Sequence, residues 1–305
     1  MSDTVLAVIE LDRFPEDVAS RAAWIARRLD CDLELVLSDP TLAVLRDDFV
    51  VSNEAREIAG NINAAQQAIL DDLAKSVAAR DQAVTTTILE DRPAADAIIA
   101  RALDVQPRYV VKGTEHHSPA ERARFTYTDW RLIRKLDFPL WLVKPQEWKE
   151  KPVFVAAVDP THSGDEDGVV DHAILEAAKE LAQRCHADVH LLHTYERLVE
   201  IGRYATLSFK PVKLPIEELE ANVRDLHRKK LDALAEAEGI PAKAVHQLPG
   251  RTHEILPMFA RGKGADLVVM GALARGGHLR RRVLGSTAER VLDHLPCDVL
   301  IVRGR

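Results

Sequence analysis

The sequence predicts an α/β protein of two tandem doubly wound domains, each with a five-stranded parallel sheet flanked by helices. Three observations lead there. Short β-branched runs, apolar on both faces, alternate with helical patterns, as expected of buried parallel strands joined by crossover helices. RYVVKG at 108–113 returns as DLVVMG at 266–271, and PLWLVK at 139–144 returns as DVLIVR at 298–303. The two offsets are 158 and 159 residues, so a whole domain is duplicated rather than a short solenoid unit. The length of 305 residues also suits two domains of about 150 residues each.

In the first copy, strands are expected near 4–11, 31–38, 84–89, 108–112 and 140–144, with helices near 16–29, 55–80, 94–104 and 128–136. In the second, strands are expected near 152–158, 187–193, 243–248, 266–270 and 298–302, with helices near 166–184, 216–238, 252–262 and 286–295. Helix 216–238 carries the apolar spacing Leu219, Val223, Leu226, Leu231 and Leu234. It stops at Gly239-Ile240-Pro241, a C-cap glycine followed by proline. The charged, proline-flanked stretch PQEWKEKP at 145–152 reads as a linker, which places the domains at 1–147 and 152–305. The terminal strands of both copies, 139–144 and 298–303, would be sheet edges, and unpaired edges invite pairing.

Charge narrows the function classes. The net charge of −7 argues against a dedicated nucleic-acid binder, which needs a basic face. The deficit is uneven: residues 1–150 hold 19 Lys and Arg against 26 Asp and Glu, whereas residues 251–305 hold 10 against 5. An anion site is therefore expected toward the C-terminal end. Cys31, Cys185 and Cys297 show no metal or disulfide spacing, and no apolar run reaches the length of a membrane span. A soluble cytoplasmic protein is the expectation, with no membrane partner.

Ligands of doubly wound sheets sit beyond the strand C-termini where strand order reverses, so the loops after the first and fourth strands carry the argument. After the fourth strand of the second copy comes Met270, then a loop with Gly271, Gly276, Gly277 and Gly285, ending at Ser286-Thr287 where a helix begins. Ser286 and Glu289 form a capping-box pattern. Bare N–H groups at a helix start, with the helix dipole behind them, make a phosphate site. Arg275, Arg280, Arg281 and Arg282 lie in the same loop. The bland alternative is a glycine-rich connection with a solvated basic face. Asp159 ends the first strand of this copy, where a carboxylate could accept from a ribose hydroxyl or an adenine amine. Its bland alternative is to cap the next turn, as Asp-Pro sequences do.

These residues resemble the universal stress protein family. The resemblance rests on the strand ending in Asp159, on Met270-Gly271, on the glycine loop through Gly285-Ser286, and on the final strand. The tandem arrangement, with FTYTDW at 125–130 in the first copy and TAERVLDH at 287–294 in the second, is similar to the two-domain E-type subgroup. The resemblance implies ATP binding, with magnesium, in members that keep Gly, two residues, Gly, nine residues, Gly, Ser or Thr. Here Gly271 and Gly285-Ser286 fit the pattern, Ala274 stands at the second glycine with Gly276 nearby, and the spacing is one residue longer. It further implies that Thr194 and Met270 lie against adenine. The implied nucleotide set is Asp159, Thr194, Met270, Gly271, Gly276, Gly285, Ser286 and Thr287. The family pairs terminal strands antiparallel, which would make the two copies an intramolecular pseudo-dimer within a monomer or a further dimer.

In the first copy, Thr126-Tyr127-Thr128 aligns with Gly285-Ser286-Thr287 and Glu10 takes the place of Asp159, so this copy reads as degenerate. Glu115, His116 and His117 with Glu10 or Asp12 offer zinc-type ligands as an alternative to an exposed polar loop. His186, His190 and His193 read as surface or strand-face residues. The stretch 195–211 is long and apolar enough for a lid, a groove for a larger ligand, or an extra helix. No nucleophile–base pair, P-loop lysine or acidic metal pair is visible, so a binding or regulatory protein is expected rather than an enzyme. The principal expectation is a stress-response regulator that takes ATP or a related nucleotide in its second domain. The rivals are an interaction scaffold without nucleotide and a binder of a nucleotide-sugar or lipid-like ligand.

Overall fold

The computed structural model describes residues 4–39, 42, 53–91, 93–114, 128–161, 168–197, 216–272, 291–292 and 294–304. The chain divides into two compact units, Met1–Glu147 and Trp148–Arg305.

The first unit runs β1 (Thr4–Ile9), α1 (Pro15–Arg28), β2 (Asp32–Ser38), α2 (Asn53–Val77), β3 (Val84–Leu89), α3 (Ala94–Val105), β4 (Tyr109–Gly113), α4 (Thr128–Lys135) and β5 (Leu140–Val143). Its sheet has the order β3-β2-β1-β4-β5, with every pairing parallel. The second unit runs β6 (Val153–Ala157), α5 (Val169–Cys185), β7 (Asp188–Tyr195), α6 (Ile216–Ala237), β8 (Val245–Pro249), α7 (Thr252–Lys263), β9 (Leu267–Gly271) and β10 (Asp298–Val302). Its order is β10-β9-β6-β7-β8, again all parallel. Each unit is thus the doubly wound sheet expected from the alternating pattern.

The strands form where the sequence is apolar on both faces, because helices cover both sides of a parallel sheet. Val5 to Ile9 of β1 are at most 1% exposed. Burying each valine, leucine or isoleucine among them contributes roughly 1.5–3 kcal/mol. By contrast β3, with three consecutive threonines at an end of the strand order, is only half-buried. The helix ends follow local chemistry. Pro15 opens α1, with Glu16 and Asp17 in its first turn and Arg27 and Arg28 in its last, all complementary to the helix dipole. Gly239 adopts φ +69° just past α6, and the Ile240 N–H returns to the Ala235 carbonyl at 2.8 Å. That left-handed closure is the stop expected at Gly239-Ile240-Pro241.

The apolar spacing expected to bury α6 holds only in part. Leu231 is fully buried, but Leu219 and Leu226 are 41% and 54% exposed. The N-terminal half of the helix therefore keeps only part of the apolar stripe inside. The end of the expected linker belongs to the second unit. There the Asp266 carboxylate accepts from the Val153 N–H at 2.8 Å and the Lys149 N–H at 3.3 Å. Trp148 packs edge-on against Phe154.

Candidate functional site

In both units strand order reverses beside the first strand, and matched registers make the two ends comparable. Val8 stands opposite Lys112 in the first unit, and Ala157 stands opposite Met270 in the second. Glu10 therefore occupies the place of Asp159, and Lys112 the place of Met270.

In the second unit, Asp159 stands two residues past the end of β6, and its side chain is 34% exposed. The Asp159 N–H donates to the buried Asp171 carboxylate of α5 at 3.0 Å. Asp159 Oδ1 accepts from the Thr161 hydroxyl at 2.8 Å and the Thr161 N–H at 3.3 Å. The carboxylate therefore closes the turn that follows the strand, the role an Asp-Pro sequence favours. It also stands at the mouth of the switch point. Thr194, 8% exposed, shares a 2.6 Å hydroxyl hydrogen bond with Thr252 and ties the end of β7 to the start of α7. Met270 is 7% exposed and buried in β9. A Cβ on Gly271 would meet Val170 Cγ1 of α5 at 2.5 Å, so this glycine allows helix α5 to lie close on the sheet. Asp159, Thr194, Met270 and Gly271 thus gather at the C-terminal ends of β6, β7 and β9. Gly276, Gly285, Ser286 and Thr287, the phosphate half of the expected site, lie outside the described residues, as do Arg275 and Arg280 to Arg282.

Histidines complete this end of the unit, and the sequence did not reveal them. His193, expected to be a surface or strand-face residue, is 1% exposed. Its Nδ1 lies 3.1 Å from the Val158 carbonyl oxygen and 3.8 Å from Asp159 Oδ1. Its Nε2 lies 2.8 Å from His227 Nδ1 of α6, and the two rings stack with centroids 5.0 Å apart. Tyr195 packs beside His227 at 5.6 Å. Burial holds the His227 pKa below its ordinary value; Asp159 pulls it upward and Lys230 downward. Period-2 alternation along β7 sets His190 and His193 on opposite faces, and the position of α6 makes His193 the buried member of a pair. A second pair, His190 and His246, meets at 3.2 Å against Phe259.

The corresponding end of the first unit is closed by ions. Lys112 is fully buried, and its ammonium lies 2.5 Å from both Glu10 and the buried Asp129 carboxylate. Arg13 reaches the same two acids at 3.5 and 3.3 Å. Two cations and two carboxylates therefore neutralise one another in the space that Met270 and Asp159 define in the second unit. Glu10, expected as one zinc ligand, is engaged in that network. Among the described residues no group of three His, Cys, Asp or Glu side chains is placed to hold a metal ion, and Glu115, His116 and His117 lie outside them. A separate cleft of about 440 Å³ opens between α2 and the end of β3, lined by Arg56, Asn63, Gln67 and Glu90 among others. Its polar groups largely satisfy one another: Asn63 donates to Glu90 at 2.7 Å, and Gln67 reaches Thr86 and Asp71.

Fold and site together define a tandem α/β protein with one carboxylate-bearing and one ion-sealed switch point. Comparison with known proteins supplies the family. The universal stress protein family model matches residues 1–144 and again 155–303, and the chain belongs to that family as a tandem two-domain member. It is 25% identical to universal stress protein E of Escherichia coli strain K12, over 99% of this chain and 94% of the relative. A universal stress protein of Methanocaldococcus jannaschii is 33% identical over 42% of this chain and 74% of its own length. The fold matches the crystal structure of a Pseudomonas aeruginosa protein described as a putative universal stress protein. That match has a TM-score of 0.73 and 22% identity, and covers 99% of this chain and 93% of the other. Among the described residues no helix is long and apolar enough to cross a membrane.

Proposed function

We propose that the protein is a stress-response regulator whose second unit binds ATP or a related nucleotide at the C-terminal ends of β6 and β9. The observation that carries this reading is the contrast between matched positions. Where the first unit fills its switch point with Lys112, Glu10, Asp129 and Arg13, the second carries Met270 and a partly exposed Asp159. A carboxylate there suits a ribose hydroxyl or an adenine amine, both of which donate hydrogen bonds. The polyphosphate, with its magnesium, falls to Gly276, Gly285, Ser286 and Thr287 and to the basic loop around them, by the helix-start chemistry given above. The first unit then serves as a degenerate partner of the second.

Native mass spectrometry of the protein as purified tests the reading directly. A retained mass of an adenine nucleotide that disappears in Gly285→Val supports it. A bare chain that also fails to take up added ATP removes it.

One observation favours a scaffold without nucleotide. The polar atoms that would greet a ligand are partly engaged already, Asp159 Oδ1 by Thr161 and the Thr194 hydroxyl by Thr252. That reading predicts no heat of binding for ATP, ADP or a sugar nucleotide.

A further inference from the structure

The pair His193–His227 has a direction that chemistry fixes. The Val158 carbonyl oxygen can only accept, so His193 Nδ1 carries the hydrogen that bridges their 3.1 Å separation. A neutral His193 then has a bare Nε2, and the 2.8 Å contact requires His227 Nδ1 to donate to it. The result is a one-way chain from α6 through β7 to the last residue before Asp159. Both nitrogens of His193 are occupied, and the remaining place for an added proton is His227 Nε2. Protonation there keeps the whole chain intact and makes its first link charge-assisted. Protonating His193 Nε2 while His227 Nδ1 keeps its hydrogen would set two N–H groups against each other.

We propose that His227 is a proton-linked positioning residue for the nucleotide site of the second unit, acting through His193 on the end of β6 that carries Asp159. This rests on the nucleotide reading and adds its regulation. A proton on His227 brings positive charge to the mouth of a site meant for a polyanion, so ligand and proton favour each other's binding. Linkage makes the effect mutual: whatever the ligand does to the affinity of His227 for protons, the proton does to ligand affinity. Among the described residues, the charged and titratable groups that bear on His227 are Asp159 just past β6, His193 and Tyr195 from β7, and Lys230 on its own helix. Asp171 of α5 holds the Asp159 backbone from behind. Histidine is suited to the task because its ordinary pKa of about 6.5 lies close to physiological pH.

The test uses the full chain, with ATP and magnesium as probe, in two arms. In the first, the ATP dissociation constant is measured from pH 7.5 to 5.5 for wild type and His227→Gln. The ratio of the two proteins cancels the titration of ATP itself. Gln keeps an N–H for His193 but takes no proton. We expect wild type to tighten by at least threefold relative to His227→Gln across that range; parallel profiles overturn the proposal. In the second arm, the His227 ring is titrated by NMR without ligand, in wild type and in Asp159→Asn. The expected result is a lower His227 pKa in Asp159→Asn. An unmoved pKa overturns the coupling whether or not ATP binds. A protein that binds no ATP but shows the NMR shift removes the nucleotide reading and leaves the proton link to Asp159 standing.

Discussion

The two switch points of this chain start from nearly the same backbone and reach opposite electrostatic ends. β4 and β9 share Val-Val, one variable residue and Gly, and differ at that variable residue, Lys112 against Met270. A buried ammonium is tolerable only with compensating anions, because desolvation of an unpaired charge is far more costly than any packing gain. Once Lys112 is present, Glu10 and Asp129 are therefore required beside it. Met270 makes no such demand, and Asp159 is left at the mouth of its unit, where it closes the turn through Thr161. One side chain thus decides whether an end of this sheet is a self-neutralised plug or a candidate ligand site.

Breaking that plug gives the largest expected effect. Lys112→Met leaves the Asp129 carboxylate buried without its ammonium partner and should destabilise the first unit by about 3–5 kcal/mol. The shift is readable as a lower urea midpoint followed by tryptophan fluorescence, since Trp24, Trp130 and Trp141 all lie in the first unit. Adding Asp129→Ala, which gives both positions the residues that the second copy carries in the aligned sequence, should recover part of the loss. A single variant as stable as wild type would contradict the ion-seal account.

The glycine shared by both ends gives the next effect. Gly271→Ala puts a Cβ 2.5 Å from Val170 Cγ1, whereas Gly113→Ala puts one 3.0 Å from Val18 Cγ2 and the Arg13 carbonyl oxygen. Overpacking of this kind costs about 1–3 kcal/mol, and Gly271→Ala should be the more damaging of the two by denaturant unfolding. Equal midpoint shifts would show that α5 yields more easily than the contact suggests.

Acid should separate the units further. Burial depresses the pKa of His190, His227 and His246, all in the second unit. A group whose folded pKa lies below its unfolded value of about 6.5 leaves the unfolded chain holding more protons in between, so stability drains away as pH falls below that value. The second unit should lose urea resistance between pH 7 and 5, and His246→Phe should flatten that loss. A second unit that gains resistance over this range would reverse the sign. At the small end, Arg228→Ala removes an exposed pair with Asp232 on α6 and should change stability by only about 0.3–0.5 kcal/mol.

Much of the fold was legible in the sequence because the signals are local and repeated. Short apolar runs marked the ten described strands to within a few residues, and Gly239-Ile240-Pro241 marked the end of α6. The site was legible only where chain order alone determines position. Asp159 at a strand end and Met270-Gly271 at the neighbouring strand end follow from register, and the structure brings them together. Three features were not readable, each because it depends on tertiary placement. The stacking of His193 on His227 needs α6 laid across β7. The sealing of Lys112 needs residues 10, 13 and 129 brought to one point. Gly271 looked like a loop residue for ligand approach, yet its missing Cβ makes room for Val170, a contact that no spacing in the sequence encodes.

Isothermal titration with magnesium ATP, counting sites per chain, tests the central claim most directly. The account predicts one site per chain, unchanged in number by Glu10→Gln in the first unit and weakened about tenfold or more by Asp159→Ala in the second. Two sites per chain, or one that Asp159→Ala leaves at full affinity, would contradict it.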